Sequence, residues 1–329
     1  MTEQAARPLI VGLGEAMVRL SPLQNTPLES ASQLQLHVAG SELNVLIAAS
    51  ALGGQGRWLT RLPANQLGAM IRRHAQSYDL DVRSNDEAGG RAGLYFLEFG
   101  VPPRPSTVLY DRKDSAPSHM RDDEFEWDQV FNNAAVAHVT GITCALGEGP
   151  MQASLEFLRA ARRMGVMTSF DFNYRSQLWD IDQARASYLD VLPLIDTLFV
   201  SPRDLNMVSD RDDDVEALAK EIIKEFGVTT MVLRERHELS ASEIEVTVRV
   251  IGENDSEATA RGCVVDELGS GDAAAGAFLA SKLLGGSNAQ STERCARAYA
   301  RMLTIPGDSW SGTLQDLTTG YVSNRRVVR

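Results

Sequence analysis

The stretch Val264-Val265-Asp266-Glu267-Leu268-Gly269-Ser270-Gly271-Asp272-Ala273-Ala274-Ala275-Gly276-Ala277-Phe278 decides how this chain is read. A glycine-rich turn runs straight into a helix of small residues. The first turn of a helix leaves backbone N–H groups without intrahelical partners, and the aligned peptide dipoles put partial positive charge there. Gly269 and Gly271 carry no Cβ to hold an anion away, so Gly269, Ser270 and Gly271 read as an anion hole. Asp272 is the odd member, because a carboxylate repels the anion that such a turn attracts. It makes chemical sense as a base that takes a proton from a nucleophile attacking a bound phosphoryl group. An acid here also serves as a plain helix cap, and spacing alone leaves that alternative open.

The same residues match the dinucleotide fingerprint G-x-G-x-x-G/A, which needs a strand after its helix and an acid about 20 residues on. Here a second helix, Ala289 to Leu303, is expected instead, and this speaks against a dehydrogenase. No GxxxxGK[ST] occurs, so a P-loop is excluded. Upstream, apolar runs at 136–139, 166–170, 197–200 and 228–233 alternate with helical stretches. In one of these, Val215, Leu218, Ile222 and Phe226 share a face and Gly227 ends it. The acids Asp210 to Asp214 before it read as a solvated first turn. Nearer the N-terminus, Leu9 to Leu13 and Trp58 to Leu62 suit strands. Leu43 to Leu52 and about Asn65 to Tyr78 suit helices. Loose alternation from Leu20 to Val38, together with β-like pieces at Gly93 to Phe99 and Thr107 to Tyr110, looks like an excursion from the main sheet. Strands alternating with helices predict an α/β fold with a mostly parallel central sheet covered on both faces.

Composition sets outer bounds. The chain has 329 residues, 43% hydrophobic and 23% charged, an ordinary globular balance for a chain able to bury a large core. Lys and Arg total 32 against 44 acids, a net charge of -12, which disfavours nucleic acid and anionic membranes as partners. A small phosphorylated ligand is not excluded, since a few local cations override the global field. Cys144, Cys263 and Cys295 lack CxxC spacing and read as buried thiols in a reducing compartment. With no signal-peptide pattern and no apolar run of about 20 residues, a cytoplasmic protein is expected.

The segment VVDELGSGDAAAGAF resembles the C-terminal signature of the ribokinase-like (PfkB) carbohydrate kinases, whose Asp-x-x-Gly-x-Gly-Asp stretch carries the anion hole and the catalytic base. Ala39-Gly40-Ser41-Glu42-Leu43-Asn44 resembles the glycine-rich segment before the first long helix of that family, so the likeness spans about Gly12 to Asp308. Three further stretches resemble 2-keto-3-deoxygluconate kinases. They are the opening Gly14-Glu15-Ala16-Met17-Val18-Arg19-Leu20-Ser21-Pro22, Tyr110-Asp111-Arg112 with Ser115-Ala116, and Asp171-Phe172-Asn173-Tyr174-Arg175.

The resemblance implies one ribokinase-like domain over residues 1–329, with a small β-lid from approximately 14–37 and 90–113. ATP and Mg²⁺ are the implied cofactors, and a sugar or sugar acid the partner. Gly40, Asn44, Tyr95, Tyr110, Arg112, Arg175 and Asp308 are the implied substrate residues. Ser201, Asp204, Arg234, Gly269 and Gly271 fall on the nucleotide side, with Asp204 touching metal only indirectly. Family lids often form dimer interfaces, so a homo-oligomer is expected. A planar guanidinium suits a carboxylate, so Arg112 and Arg175 favour a sugar acid over the alternatives of a neutral-sugar kinase or a non-catalytic sensor. Departures from the family are Ala274 for the usual Phe, which implies looser packing beneath the anion hole, and Ser201-Pro202-Arg203-Asp204 for Asn-x-x-Glu. Arg234-Glu235-Arg236-His237 stands where a G-x-x-G loop is usual. His237 is expected at the surface.

Overall fold

A computed structural model describes residues 7–23, 26–101, 103–208 and 214–318. In chain order, the N-terminal half holds β1 (Leu9–Leu13), β2 (Met17–Pro22), β3 (Leu34–Ala39), α1 (Ser41–Ala51), β4 (Gln55–Pro63), α2 (Gln66–Gln76), β5 (Asp81–Glu87), β6 (Leu94–Glu98), β7 (Thr107–Asp111), α3 (Trp127–Val130) and β8 (Ala134–Thr140). There follow α4 (Gly141–Cys144), α5 (Glu148–Arg163), β9 (Met167–Asp171), α6 (Ile181–Val191), β10 (Thr197–Val200), α7 (Pro202–Val208), α8 (Val215–Phe226), β11 (Thr230–Ser240), β12 (Glu243–Gly252), β13 (Ser256–Cys263), α9 (Ser270–Leu283) and α10 (Asn288–Met302).

A nine-stranded sheet runs β13-β12-β11-β10-β9-β8-β1-β4-β5. It is parallel from β11 to β5 and closes at the other end with the antiparallel strands β12 and β13. Successive strand residues leave for opposite faces. Val11, Ala137, Leu198 and Met231 enter a core with α5, α6 and α8. Their neighbours Ile10, Val136, Phe199 and Val232 enter a second core with α1, α2, α9 and α10. The ribokinase-like α/β architecture is thus a sheet with helices on both faces.

Local chemistry sets the helix ends. Asp180 and Gln183 form a capping box on α6, and Ser287 and Gln290 do so on α10. Asp214 caps α8, and Gly227 closes that helix at φ 75°. The rest of the acidic cluster expected before α8, Asp210 to Asp213, lies outside the described residues.

Three expectations need correction. The fourth C-terminal apolar run does not stop at residue 233. Strand β11 continues to Ser240, paired with β12 through Glu238 and beyond. Strands β12 and β13 were not foreseen, although Ile244, Val246, Val248 and Val250 alternate with polar residues and are buried. Cys144 and Cys295 are buried thiols, but Cys263 is exposed at the end of edge strand β13.

A separate four-stranded sheet, β3-β2-β6-β7, rises from the C-terminal end of β1. Its strands occupy the segments set apart in the sequence, with β3 reaching Ala39. Its inner face carries Arg19, Tyr95 and Tyr110. On its outer face the register aligns Leu36, Leu20, Phe96 and Leu109 in one row.

Candidate active site

Between β13 and α9 the chain turns at Gly269, whose φ of 74° is the left-handed region that favours glycine. A Cβ there would lie 2.2 Å from the carbonyl oxygen of Asp308, so the residue is dictated by backbone packing. At Gly271 a Cβ would meet only the Arg234 guanidinium, with Nη1 at 3.3 Å and Cζ at 4.0 Å. The first intrahelical bond joins Ala273 N to Gly269 O at 2.8 Å, so the amides of Ser270, Gly271 and Asp272 precede the ladder. Ser270 Oγ donates to Glu267 O. Beneath the turn, Ala274 is fully buried, and a Cβ on Gly276 would lie 2.4 Å from Val45 O, so α1 and α9 pack backbone to backbone.

Asp272 is no cap: Gly269 holds that position and Asp272 lies within the first turn. Its Oδ1 accepts from Ser41 Oγ at 2.7 Å and its Oδ2 from Asn44 Nδ2 at 2.9 Å, both on α1. Burial pushes the carboxyl up to about 6, against the two donors and Arg175, while Asp171 reinforces the rise. Asn44 therefore turns to the acid, and the Ser41 hydroxyl in turn accepts from Asn173 Nδ2 at 2.9 Å. Asp272 lines two cavities at once.

The first is a narrow space of about 90 Å³ under the inner face of the small sheet, and Gly40, Asn44, Tyr95, Tyr110, Arg112, Arg175 and Asp308 all line it. The sequence-predicted substrate residues thus converge, but most are held by protein partners. Tyr95 donates to Asp308 Oδ1 at 2.8 Å, and Arg19, fully buried on β2, donates to Asp308 Oδ2 at 2.9 Å and to Asp266 Oδ2 at 2.7 Å. Burial holds the Asp308 carboxyl above its ordinary range, with Arg19 opposing. Arg112 pairs with buried Glu15, which also accepts from Ser115 Oγ at 2.5 Å; Arg112 Nε has no partner. Gly40 is required by packing, since a Cβ would lie 2.3 Å from Glu15 O. The side chain of Arg175, on the loop after β9, makes no hydrogen bond or ion pair within the described residues and also lines a cavity of about 540 Å³ outside the first.

The second space, about 650 Å³, opens over the anion-hole turn and is lined by Ser201, Asp204, Arg234, Gly269, Gly271 and Tyr299 among others. Arg234 donates to Asp171 Oδ2 at 2.6 Å and to Gly271 O at 2.8 Å, with its guanidinium over Phe199. Its charge underlies the turn while these donors are engaged within the protein. Ser201 Oγ accepts from Asp204 N at 3.1 Å and starts α7, and burial raises the Asp204 carboxyl. Asp171 Oδ1 is buried without a partner. No cluster of His, Cys, Asp or Glu among the described residues forms a ready metal cage. His237 is exposed beside Glu235, as expected.

Glu42, buried on α1, lines neither space. Its Oε1 accepts from Thr140 N, Thr140 Oγ1 and Thr143 Oγ1, and burial pushes its carboxyl up to about 7. Sequence reasoning did not single out Glu15, Arg19, Ser41, Glu42 or Asn173 as site residues, although each lies inside a stretch it quoted.

A buried acid at the first turn of a helix, lining both a narrow space and a wider one, is an arrangement suited to phosphoryl transfer. Residues 7–304 match the model of the pfkB family carbohydrate kinases, and the chain belongs to that family. It is 36% identical over 304 residues to the 2-dehydro-3-deoxygalactonokinase of Haloferax volcanii, covering 91% of this chain and 92% of the relative. Identity to the 2-dehydro-3-deoxygluconokinase of Thermoproteus tenax is 32% over 305 residues, covering 91% and 90%. The crystal structure of Thermotoga maritima 2-dehydro-3-deoxygluconokinase superposes with a TM-score of 0.89 at 28% identity, over 95% of this chain and 98% of that one.

Proposed function

We propose that this carbohydrate kinase transfers the γ-phosphoryl group of ATP to the primary hydroxyl of 2-dehydro-3-deoxygluconate, the keto acid also called 2-keto-3-deoxygluconate. The observation that carries the reading is Asp272, held by Ser41 and Asn44 where the two spaces meet. The acceptor hydroxyl attacks the γ-phosphorus, the bond from that phosphorus to the β–γ bridging oxygen breaks, and ADP leaves with the electron pair. Asp272 takes the hydroxyl proton, and the amides of Ser270, Gly271 and Asp272 stabilise charge on the transferred group. Because the base works ionised, the rate falls as pH drops through its value of about 6.

Arg175 and the unpartnered edge of Arg112 suit the acceptor carboxylate. A hard cation prefers oxygen donors, and the donor space offers the half-buried Asp204 and the unpartnered Asp171 Oδ1. Asp204 would hold Mg²⁺ through water, where the ion supplies charge neutralisation of the phosphates.

We take residues 1–329 as one kinase domain whose small sheet, segments 14–37 and 90–113, acts as a lid excluding water from the acceptor space. The apolar outer row, with Leu36 56% and Leu109 61% exposed, supports a homo-oligomer through that face. Two buried unpaired cysteines support a cytoplasmic setting. No helix among the described residues is long and apolar enough to cross a membrane.

The C4 epimer is a second reading, favoured by the higher identity to the galactonate-named relative. Purified protein with ATP and 2-dehydro-3-deoxygluconate, 2-dehydro-3-deoxygalactonate, fructose or ribose separates these. The keto acids are expected to turn over and the neutral sugars to do so far more slowly; better use of fructose or ribose contradicts the acid reading.

A further inference from the structure

The polar groups behind Asp272 form a chain with one direction. Ser41 Oγ has one proton. Asn173 Nδ2, 2.9 Å away, can only donate, so it occupies an Oγ lone pair. The hydroxyl proton is thereby sent to Asp272 Oδ1 at 2.7 Å, and an ionised carboxylate can only accept it. The opposite arrangement would place two donors against each other. Asn173 reaches this position at φ 41°, a region that Asn enters more readily than most residues. We propose that Ser41, oriented by Asn173, is a positioning residue for the base, keeping the Asp272 carboxylate ionised and aimed at the junction of the two spaces. The proposal rests on the reading of Asp272 as the base.

The charged groups around Asp272 come from several elements, and most are already paired. Asp171 at the end of β9 is bound to Arg234 of β11. Glu15 is bound to Arg112, the residue after β7, and Asp308 to Arg19 of β2. Arg175 faces the same space. Replacing Ser41 leaves all of these charges in place, so it removes one donor to the carboxylate without altering net charge. Loss of a donor to the ionised form raises the pKa of an acid, and a base with a raised pKa loses activity first at low pH.

The test is kcat/KM against pH, with ATP and 2-dehydro-3-deoxygluconate, for wild type, Ser41→Ala, Ser41→Thr, Asn173→Gly and Asp272→Asn. Glycine is chosen at 173 because it tolerates positive φ. Ser41→Ala is expected to move the acid-side midpoint up by about one pH unit, the scale of one charge-assisted hydrogen bond, a roughly tenfold loss below the midpoint. Asn173→Gly is expected to move it the same way by less, and Ser41→Thr to return it towards wild type. An unmoved midpoint in Ser41→Ala, with Asp272→Asn inactive, overturns the proposal and leaves the base reading standing. An Asp272→Asn variant as fast as wild type overturns the base reading itself. If Ser41→Ala does not fold, Asn173→Gly decides alone: an unmoved midpoint there overturns the proposal.

Discussion

Replacing Arg19 by Met tests how the small sheet is tied to the anion-hole turn. The guanidinium is fully buried and donates to Ser21, Asp266 and Asp308 at 2.9, 2.7 and 2.9 Å. Methionine keeps the stem but strands two carboxylates that are almost wholly out of water. Asp266 retains Leu268 N and Gly307 N as donors, and Asp308 retains the Tyr95 hydroxyl. Breaking a buried pair from one side costs about 3–5 kcal/mol, on the order of 10 °C in the unfolding midpoint of a chain this size. The loss should depend on pH. The Asp308 carboxyl already lies above its ordinary range with Arg19 opposing the rise, so removal of Arg19 lifts it further. A folded-state acid with a raised pKa leaves stability greatest below the unfolded pKa, and that stability is lost as pH rises through the folded value. Urea unfolding of wild type and Arg19→Met at pH 5 and pH 8 should therefore show the larger deficit at pH 8. A deficit of about 1 kcal/mol or less, the worth of an exposed pair, or one that does not shrink at pH 5, refutes the reasoning.

Two further outcomes concern single groups. The Arg175 side chain makes no hydrogen bond or ion pair among the described residues, so Arg175→Gln should raise KM for the keto acid by about tenfold or more while leaving the unfolding midpoint near wild type; steady-state kinetics beside a thermal melt checks both. Burial lifts Glu42 to about 7, so its ionisation costs stability progressively as pH rises from its unfolded range to the folded value. Wild type should lose about 3 kcal/mol across that window, and Glu42→Gln should flatten the profile; parallel slopes in urea titrations contradict it.

Much of the fold was legible because its signals are local. The run at β1, the single-face periodicity of α8 and the glycine that ends it each lie within a dozen residues of chain. Strands β12 and β13 were missed although the alternation Ile244, Val246, Val248, Val250 was visible, because a repeating parallel pattern was extended past the point where the chain turns into hairpins. At the site, Gly269 to Asp272 is one contiguous segment and could be read directly. The partners that govern it are distant: Arg19 and Asp308 stand 289 positions apart, Ser41 and Asp272 231, and Ser41 and Asn173 132. No periodicity reports such pairs. This is why the bonds from Asn44 to Asp272 and from Arg112 to Glu15 went unread.

The central claim is that Asp272 removes the acceptor proton. The most direct measurement is turnover of ATP and 2-dehydro-3-deoxygluconate by Asp272→Asn, beside calorimetric binding of the keto acid to the same protein. Asparagine preserves the size of the side chain but cannot take the proton, so kcat should fall by about 10³-fold or more while binding persists. A variant that binds the acid and turns over within a few fold of wild type would contradict the assignment.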